Sequence, residues 1–541
     1  MGSLSPVLGG EGWGEGLARD PTEHGRKSVN AMKEIELRFQ IPAALGDAVE
    51  AAVATASAKR TRLRATYFDT PQRRLAGAGL ALRVRKEGRR WVQTLKSGGP
   101  HAFARFEHNV ALAHGVASGP STAPLPDPAL HAGTEGGRAL ARALAVRKGE
   151  QPEALEALFR TDIRRCHRVL RIAGGSVELA CDRGFIISGE RAAPICELEI
   201  ELLRGSSLAV IEAARRWVSR FGLWLEVRSK AERGARLAMW NAAPSGAEPA
   251  VPAQRAAALR FERGIGVDAA FRAVVGNCLE QILPNASDLA SSTHAQEHVH
   301  QLRVGLRRLR TALRLFDGWA TQINPVWTTT LAEIFTLLGG TRDRDALGAE
   351  VIPALRSAGA PWVELPAPVD AADPVLVARS GRFTQTMLDL LDLSALADRA
   401  DEQEPTADAK DFATLASERL ALWHREVRRD AKQFDTLDDA ARHRLRRRVK
   451  RLRYAAEFAA PLFDTKAVAR FLKQLEPVQE CLGRGNDVNV ALALFRSQVE
   501  TVPAAWFAVG RLTAWREDLL EESAAVLKEF RHAGPFWERR R

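Results

Sequence analysis

The hydrophobic rhythm of the chain changes once. Over the first half, apolar residues return at every second position in short runs: Glu34–Gln40, Ala81–Lys86, Trp91–Lys96, Val177–Asp182 and Ile195–Leu202. That period puts alternate side chains on opposite faces of a strand. Turn-rich stretches separate the runs, and one of them, His114–Gly137, carries Gly, Ser and Pro and reads as a loop. Helical patterns interrupt at Ala43–Ala58 and Ser207–Phe221. Residues 241–258 are rich in Ala and Pro and poor in large apolar side chains, which predicts a linker. Beyond them the period becomes helical, in long Leu/Ala/Arg-rich segments. The expected organisation is a disordered extension over residues 1–31, an α+β domain over 32–240, the linker, and an all-α domain over 259–541.

Composition narrows the partners. A chain of 541 residues exceeds one ordinary core, and 46% hydrophobic with 27% charged residues fits a soluble globular protein. The net charge of +12 and pI near 9.8 favour an acidic partner: nucleic acid, anionic lipid or a phosphorylated small molecule. The five cysteines (Cys166, Cys181, Cys196, Cys278 and Cys481) form no CxxC pair, which predicts reduced thiols and a cytoplasmic location. No apolar run approaches the roughly 18 residues of a membrane span, so no membrane partner is expected. The Gly-rich start has no apolar segment of a secretory signal, and Met32 is a plausible alternative start.

The strands carry rows of a single charge sign. Glu34, Glu36 and Arg38 alternate with Ile35, Leu37 and Phe39; Glu197, Glu199 and Glu201 alternate with Leu198, Ile200 and Leu202. Arg83 and Arg85 alternate with Leu82 and Val84. A solvated sheet face usually mixes signs and hydroxyls. Clustered carboxylates repel unless a cation sits among them, and hard divalent ions such as Mg²⁺ or Mn²⁺ take oxygen ligands. Facing rows of Arg and Lys would neutralise a polyanion held by the same metal. A closed barrel with a charged lumen and an apolar outside satisfies these constraints, and it suits phosphoryl transfer.

At this point the residues resemble a family. Glu34-x-Glu36-x-Arg38 is similar to the ExExK signature of the CYTH, or triphosphate tunnel metalloenzyme, superfamily. Tyr67-Phe-Asp-Thr-Pro71, Leu82-Arg83-Val84-Arg85, Thr94-Leu95-Lys96, Arg105-Phe106-Glu107, Cys196-Glu-Leu-Glu-Ile-Glu201 and Ser229-Lys230-Ala231-Glu232-Arg233-Gly234 continue the resemblance in order. It implies an eight-stranded antiparallel tunnel that binds a triphosphate with one or two divalent metals. By that resemblance Glu34, Glu36, Glu197 and Glu199 are metal ligands, with Asp182 and Glu107 candidates for a second metal or its water. Arg83, Arg85, Lys96, Arg105, Arg165, Lys230 and Arg233 correspond to phosphate ligands, and Glu34, Glu36, Arg38 and Glu107 to the catalytic set. Glu201 stays open between the site and a solvated strand end. One departure is plain: the family's Lys after ExE is Arg38 here, and a planar guanidinium differs geometrically from an ammonium.

The second half contains an internal repeat. His300-Gln-Leu-Arg303-Val-Gly-Leu-Arg307-Arg308-Leu309-Arg310 matches His443-Arg-Leu-Arg446-Arg-Arg-Val-Lys450-Arg451-Leu452-Arg453. Leu338-Gly339…Arg342-Asp343 then matches Leu482-Gly483…Asn486-Asp487, where the two aspartates either orient an arginine across the bundle or take part in binding. On a helix, His300, Arg303, Arg307, Arg310 and Arg314 fall within a wedge of roughly 80°. His443, Arg446, Lys450 and Arg453 do the same, with Leu445, Val449 and Leu452 opposite. Solvated helix faces normally pair Lys with Glu, whereas these faces are nearly pure base, which favours a phosphate-rich ligand.

This pattern resembles the CHAD domain, which implies two pseudo-repeated helical bundles with inorganic polyphosphate along a basic groove. Nucleic acid is the rival ligand, disfavoured because the basic faces carry no aromatics in phase apart from Tyr454. The leading expectation is metal-dependent hydrolysis of inorganic tripolyphosphate, with polyphosphate binding by the helices; placement at polyphosphate granules is a further expectation. The alternatives are a non-catalytic polyphosphate-binding or granule-associated protein, and an adenylyl cyclase or thiamine-triphosphatase on the same tunnel.

Overall fold

Alternation builds a barrel with its charges inside. In the computed structural model the described residues are 32–538, except 89, 99–103, 113–122, 146–152, 244–245, 263, 293, 341–346, 362–364, 366–371 and 396–410. The extension expected over 1–31 lies outside them. The strands are β1 Met32–Gln40, β2 Lys59–Asp69, β3 Leu80–Glu87, β4 Arg90–Gly98, β5 Ala104–Leu112, β6 Glu156–Ile172, β7 Gly175–Ser188, β8 Arg191–Gly205 and the two-residue β9 Trp224–Leu225. Their order is β5-β4-β3-β2-β6-β7-β8-β1-β9, and β5 also pairs with β1. That pairing, from Met32↔Glu107 to Ile35↔Ala104, closes eight antiparallel strands into a tunnel. The ninth is a spur on Phe39 and Gln40.

The apolar half of each alternation faces outward and is covered by helices: α1 Gly46–Val53, α2 Arg74–Gly77, α3 Glu135–Leu144, α4 Ser207–Phe221 and α5 Lys230–Ala242. Leu80, Leu82 and Leu95 pack with Leu75 of α2 and Leu140 of α3. Leu37, Phe39, Leu198 and Ile200 share a core with Val210, Ala214 and Trp217 of α4. The Asp69 carboxylate in the Tyr67–Pro71 motif accepts the backbone N–H groups of Thr70, Leu75 and Ala76, so this aspartate caps α2. The loop expected over His114–Gly137 contains a 3₁₀ turn, Pro128–His131, and the start of α3.

The rest is helical: α6 Val267–Ala290, α7 Gln296–Phe316, α8 Pro325–Leu337, α9 Ile352–Ser357, α10 Pro374–Arg379, α11 Gly381–Ala395, α12 Phe412–Lys432, α13 Asp439–Ala459, α14 Thr465–Arg496 and α15 Ala505–Phe530. The barrel's α4 core runs without a break into the helical core around Phe271, Leu302 and Phe316. Arg215 of α4 pairs with Asp389 of α11 at 2.9 Å, and the Arg379 guanidinium lies 4.9 Å from the Trp224 ring centre. The segment expected to be a linker is pinned between the two halves. Gln254 exchanges hydrogen bonds with the Asn285 side chain, and Ala257 O accepts from Asn277. No helix among the described residues is long and apolar enough to cross a membrane.

Candidate active site

The carboxylates meet because register and a helix cap both aim at one place. Across β1 and β8, Glu36 faces Glu201, Arg38 faces Glu199 and Gln40 faces Glu197; across β7 and β8, Asp182 faces Glu197 and Glu178 faces Glu201. One oxygen each of Asp182, Glu197 and Glu199 lies within 4.8 Å of the others, and Glu36 stands outside this trio. A capping box fixes the start of α5: Ser229 Oγ accepts from Glu232 N at 3.1 Å, and the Glu232 carboxylate accepts from Ser229 N at 2.7 Å. Lys230 and Arg233 thereby enter the first turn on the barrel side.

Lys230 Nζ touches all three carboxylates, at 2.8 Å from Asp182 and 2.6 Å from Glu199, with Glu197 in closer contact. Arg165 binds Asp182 in bidentate fashion at 2.7 Å and also reaches Glu199. Arg233 pairs with Glu197. Arg38 Nε donates to Glu36 Oε1 at 2.8 Å, and its Nη1 donates to Arg228 O at 2.9 Å. Asp182 and Glu197 are wholly buried and Arg38 is 6% exposed, so this charge is compensated inside the protein. Burial opposes ionisation of Glu199, but Lys230, Arg165 and Arg38 outweigh it and hold its carboxyl well below the usual range. Burial likewise opposes the Lys230 charge, and Asp182, Glu197 and Glu199 raise its pKa instead. Glu226, also buried, is pushed upward by desolvation.

A basic wall stands in the same cavity of about 930 Å³. It comprises Arg83 and Arg85 of β3 and Lys96 of β4. Glu107 of β5 is pinned there by Lys96, by Arg83 at 3.4 Å and by Asn109 Nδ2 at 2.9 Å. Burial and the neighbouring Arg83 lower the Arg85 pKa, which is the signature of like charges held together. Glu34 and Arg105 are backbone partners across β1 and β5; their side chains lie outside the described residues.

The repeated helices also come together. Arg307 and Arg310 of α7 are half-buried, and Arg303 is 7% exposed, donating to Phe335 O at 3.1 Å. The three guanidiniums lie 4.4, 5.3 and 5.3 Å from the Phe335 ring centre, in the order Arg303, Arg307, Arg310. Burial, Arg314, Arg307 and then Arg447 of α13 lower the Arg310 pKa, and α7 packs against α13. His300, Arg446 and Lys450 are half-buried on these faces, while His443 is exposed and its Nδ1 lies 2.9 Å from Asn486 Oδ1. Arg453 binds Glu457 and Gln479. Asp487 takes a hydrogen bond from Asn486 and pairs with no arginine among the described residues. Arg342 and Asp343 lie outside the described residues. The arginine eight positions after each histidine is structural in both copies. Arg308 binds Gln281 and Asn277 of α6, and Arg451 binds Glu426 of α12 and stacks on Trp423.

The CYTH-domain family model matches residues 32–235, and the CHAD-domain model matches residues 273–496. The chain is a CYTH–CHAD protein. Its CHAD half is similar to the CHAD domain of the plant Ricinus communis, 30% identical over 53% of this chain and 98% of that one, with a TM-score of 0.44. The CYTH half is similar to an inorganic triphosphatase of Haemophilus influenzae, 27% identical over 209 residues, which are 38% of this chain. The match covers 54% of that relative, so the chain spans about half its length. A Hippeastrum structure described as revealing a dominant triphosphatase activity matches 37% of this chain and 96% of its own, at 19% identity and a TM-score of 0.27.

Some lining residues of the CYTH–CHAD tunnel escaped the sequence reading: Glu178, Arg228 and Arg236. Arg236 carried a signal, since it follows Arg233 by three positions and so shares its side of α5. Glu178 carried none; it joins through its cross-strand partner Glu201 and its contact with His167 at 2.9 Å.

Proposed function

We propose that this CYTH–CHAD protein hydrolyses inorganic tripolyphosphate to diphosphate and phosphate in the tunnel, with a divalent metal, and holds polyphosphate on the paired basic helices. The reading rests on one observation: Asp182 and Glu199, two members of a buried carboxylate trio, share one closed-barrel cavity with a row of Arg83, Arg85 and Lys96. Asp182, Glu197 and Glu199 supply three hard oxygen donors within 4.8 Å of one another, a donor set that suits Mg²⁺ or Mn²⁺. Glu36 and Glu34 of β1 would complete such a ligand set. A bound cation there supplies Lewis-acid neutralisation of phosphate charge. Arg83, Arg85 and Lys96 bind the phosphate chain from the opposite wall. Glu107, oriented by Arg83, Lys96 and Asn109, accepts a hydrogen bond from the attacking water and then its proton.

The cavity lining favours a bare phosphate chain over a nucleotide or thiamine ester. Tyr67 is its only aromatic side chain among the described residues, and that ring is already stacked on Phe159 at 4.5 Å. Phosphate release should be measured with tripolyphosphate, long-chain polyphosphate, ATP and thiamine triphosphate, each with Mg²⁺ or Mn²⁺. The reading expects tripolyphosphate to be preferred. No release from it, with polyphosphate still bound, would leave a binding protein in its place.

A further inference from the structure

The tunnel cavity is lined as well by residues 248–252 and Gln254 and by two arginines outside the catalytic set, Arg228 and Arg236. Both guanidiniums are held by a single carboxylate from the other domain. Asp288 of α6 is 1% exposed, accepts from Arg228 Nη2 on Oδ2 at 2.7 Å, and accepts from Arg236 Nη1 on Oδ1 at 2.6 Å. The residue before it repeats the grip on the backbone, since Ser287 Oγ accepts from Val227 N at 3.1 Å and lies 3.4 Å from Leu225 O. His298 of α7 lies beyond, its Nε2 3.8 Å from Asp288 Oδ2.

We infer that Asp288, a residue of the helical domain, is a positioning residue of the tunnel, fixing Arg228 and Arg236 as ligands for the distal phosphates of the substrate chain. This rests on the triphosphatase reading above. An arginine left unpaired samples many rotamers, and ordering it on binding costs affinity; a buried carboxylate removes that cost in advance. Each arginine gives Asp288 one terminal nitrogen. Arg228 Nε is buried without a hydrogen-bond partner among the described residues, a donor left over in a residue that lines the cavity. Glu232 approaches Arg228 only at 3.6 Å, and its carboxylate also closes the α5 capping box. The connection continues inward. Arg228 O holds Arg38 Nη1, and Arg38 Nε holds Glu36, so two residues, Arg228 and Arg38, link Asp288 to the strand β1 carboxylate. In this arrangement the helical domain completes the tunnel rather than merely following it in the chain.

The test uses the full chain as wild type, Asp288→Asn, Asp288→Glu and Arg236→Gln. Two quantities are read: steady-state phosphate release from tripolyphosphate with Mg²⁺, and calorimetric binding of tripolyphosphate without divalent metal. Asp288→Asn should raise both KM and Kd about tenfold, the worth of one charged hydrogen bond, with kcat within about twofold. Asp288→Glu should recover most of that loss, and adding Arg236→Gln to Asp288→Asn should change little more. A mere staple between domains predicts lower thermal stability with KM and Kd unchanged, and that result overturns the inference. Should Asp288→Asn fail to fold, Arg236→Gln decides alone: an unchanged Kd rejects the assignment. If the wild type neither cleaves nor binds tripolyphosphate, the triphosphatase reading itself fails, and this inference with it.

Discussion

Lys230, the first residue of α5, lies 2.6 Å from Glu199 of β8, so a cation occupies a helix N-terminus whose dipole disfavours it. The carboxylates of Asp182, Glu197 and Glu199 make that placement stable, and the lysine in turn keeps them from repelling one another. Lys230→Gln should therefore destabilise the barrel by about 3–5 kcal/mol in metal-free buffer. Millimolar Mg²⁺ should restore part of the loss, because a divalent ion can take the place of the ammonium among the same oxygens. Urea unfolding with and without Mg²⁺ measures both, and a variant as stable as wild type would contradict the account.

Arg38 makes two bonds in different directions, one to Glu36 and one to Arg228 O. A lysine can reach only one of them at full strength. Arg38→Lys should cost about 1–2 kcal/mol in stability and lower kcat for tripolyphosphate several-fold. Denaturant titration and steady-state kinetics read the two effects separately.

Gly234 packs α5 onto the barrel so closely that an added Cβ would lie 2.1 Å from Phe159 Cε2. The ring cannot retreat, because Tyr67 is stacked behind it. Gly234→Ala should cost about 1–3 kcal/mol and displace Lys230 and Arg233 with the helix. Its activity loss should exceed what the unfolded fraction explains, as circular dichroism run alongside the assay will reveal.

His424 of α12 is buried against Phe471, Phe530 and Trp537, and burial lowers its pKa from 6.5 to about 4. Between those values the unfolded chain binds a proton that the folded chain refuses. Stability is therefore full above pH 6.5 and lost as the pH falls toward 4. The share of this one residue is at most about 3 kcal/mol. His424→Phe should flatten that part of the slope, read as hydrogen exchange of α12 at pH 7 and pH 5. His131 shares the same window, with a pKa lowered to about 4 by burial and His108, and should keep a residual slope in the barrel.

The basic helix faces divide by burial. Arg303 is almost buried and serves Phe335 O, whereas Arg447 is exposed on the partner helix. Arg303→Gln should lower the melting temperature, and Arg447→Gln should instead weaken polyphosphate binding and flatten its dependence on salt. Binding isotherms at several ionic strengths distinguish them.

The barrel was legible where alternation is strict, as in Ala81–Lys86 and Ile195–Leu202, because both faces are uniform there. It was illegible in β2 and β6. The first half of β2, from Lys59 to Arg64, is mostly exposed and basic, so no apolar face marks it. The helix Ser207–Phe221 was read to its ends, since an apolar stripe and Gly222 in the left-handed region bound it. At the site, like charges on one strand announced themselves, but partners supplied by cross-strand register, such as Glu178, did not. Asp288 was hidden for a different reason: it lies in an apolar helix, and only the approach of two domains gives it arginines to hold.

The pairing of β1 has a consequence for synthesis. This strand is made first, yet its partners are β5 and β8, and β8 ends at Gly205. At ordinary elongation rates Leu37 and Phe39 must wait roughly 10–30 s on the ribosome before their sheet exists. During that interval the strand is an unpaired apolar edge beside a cluster of carboxylates, open to chaperones and to other nascent chains. Asp288 emerges later still, so Arg228 and Arg236 gain the carboxylate that holds them only once translation has entered the helical domain.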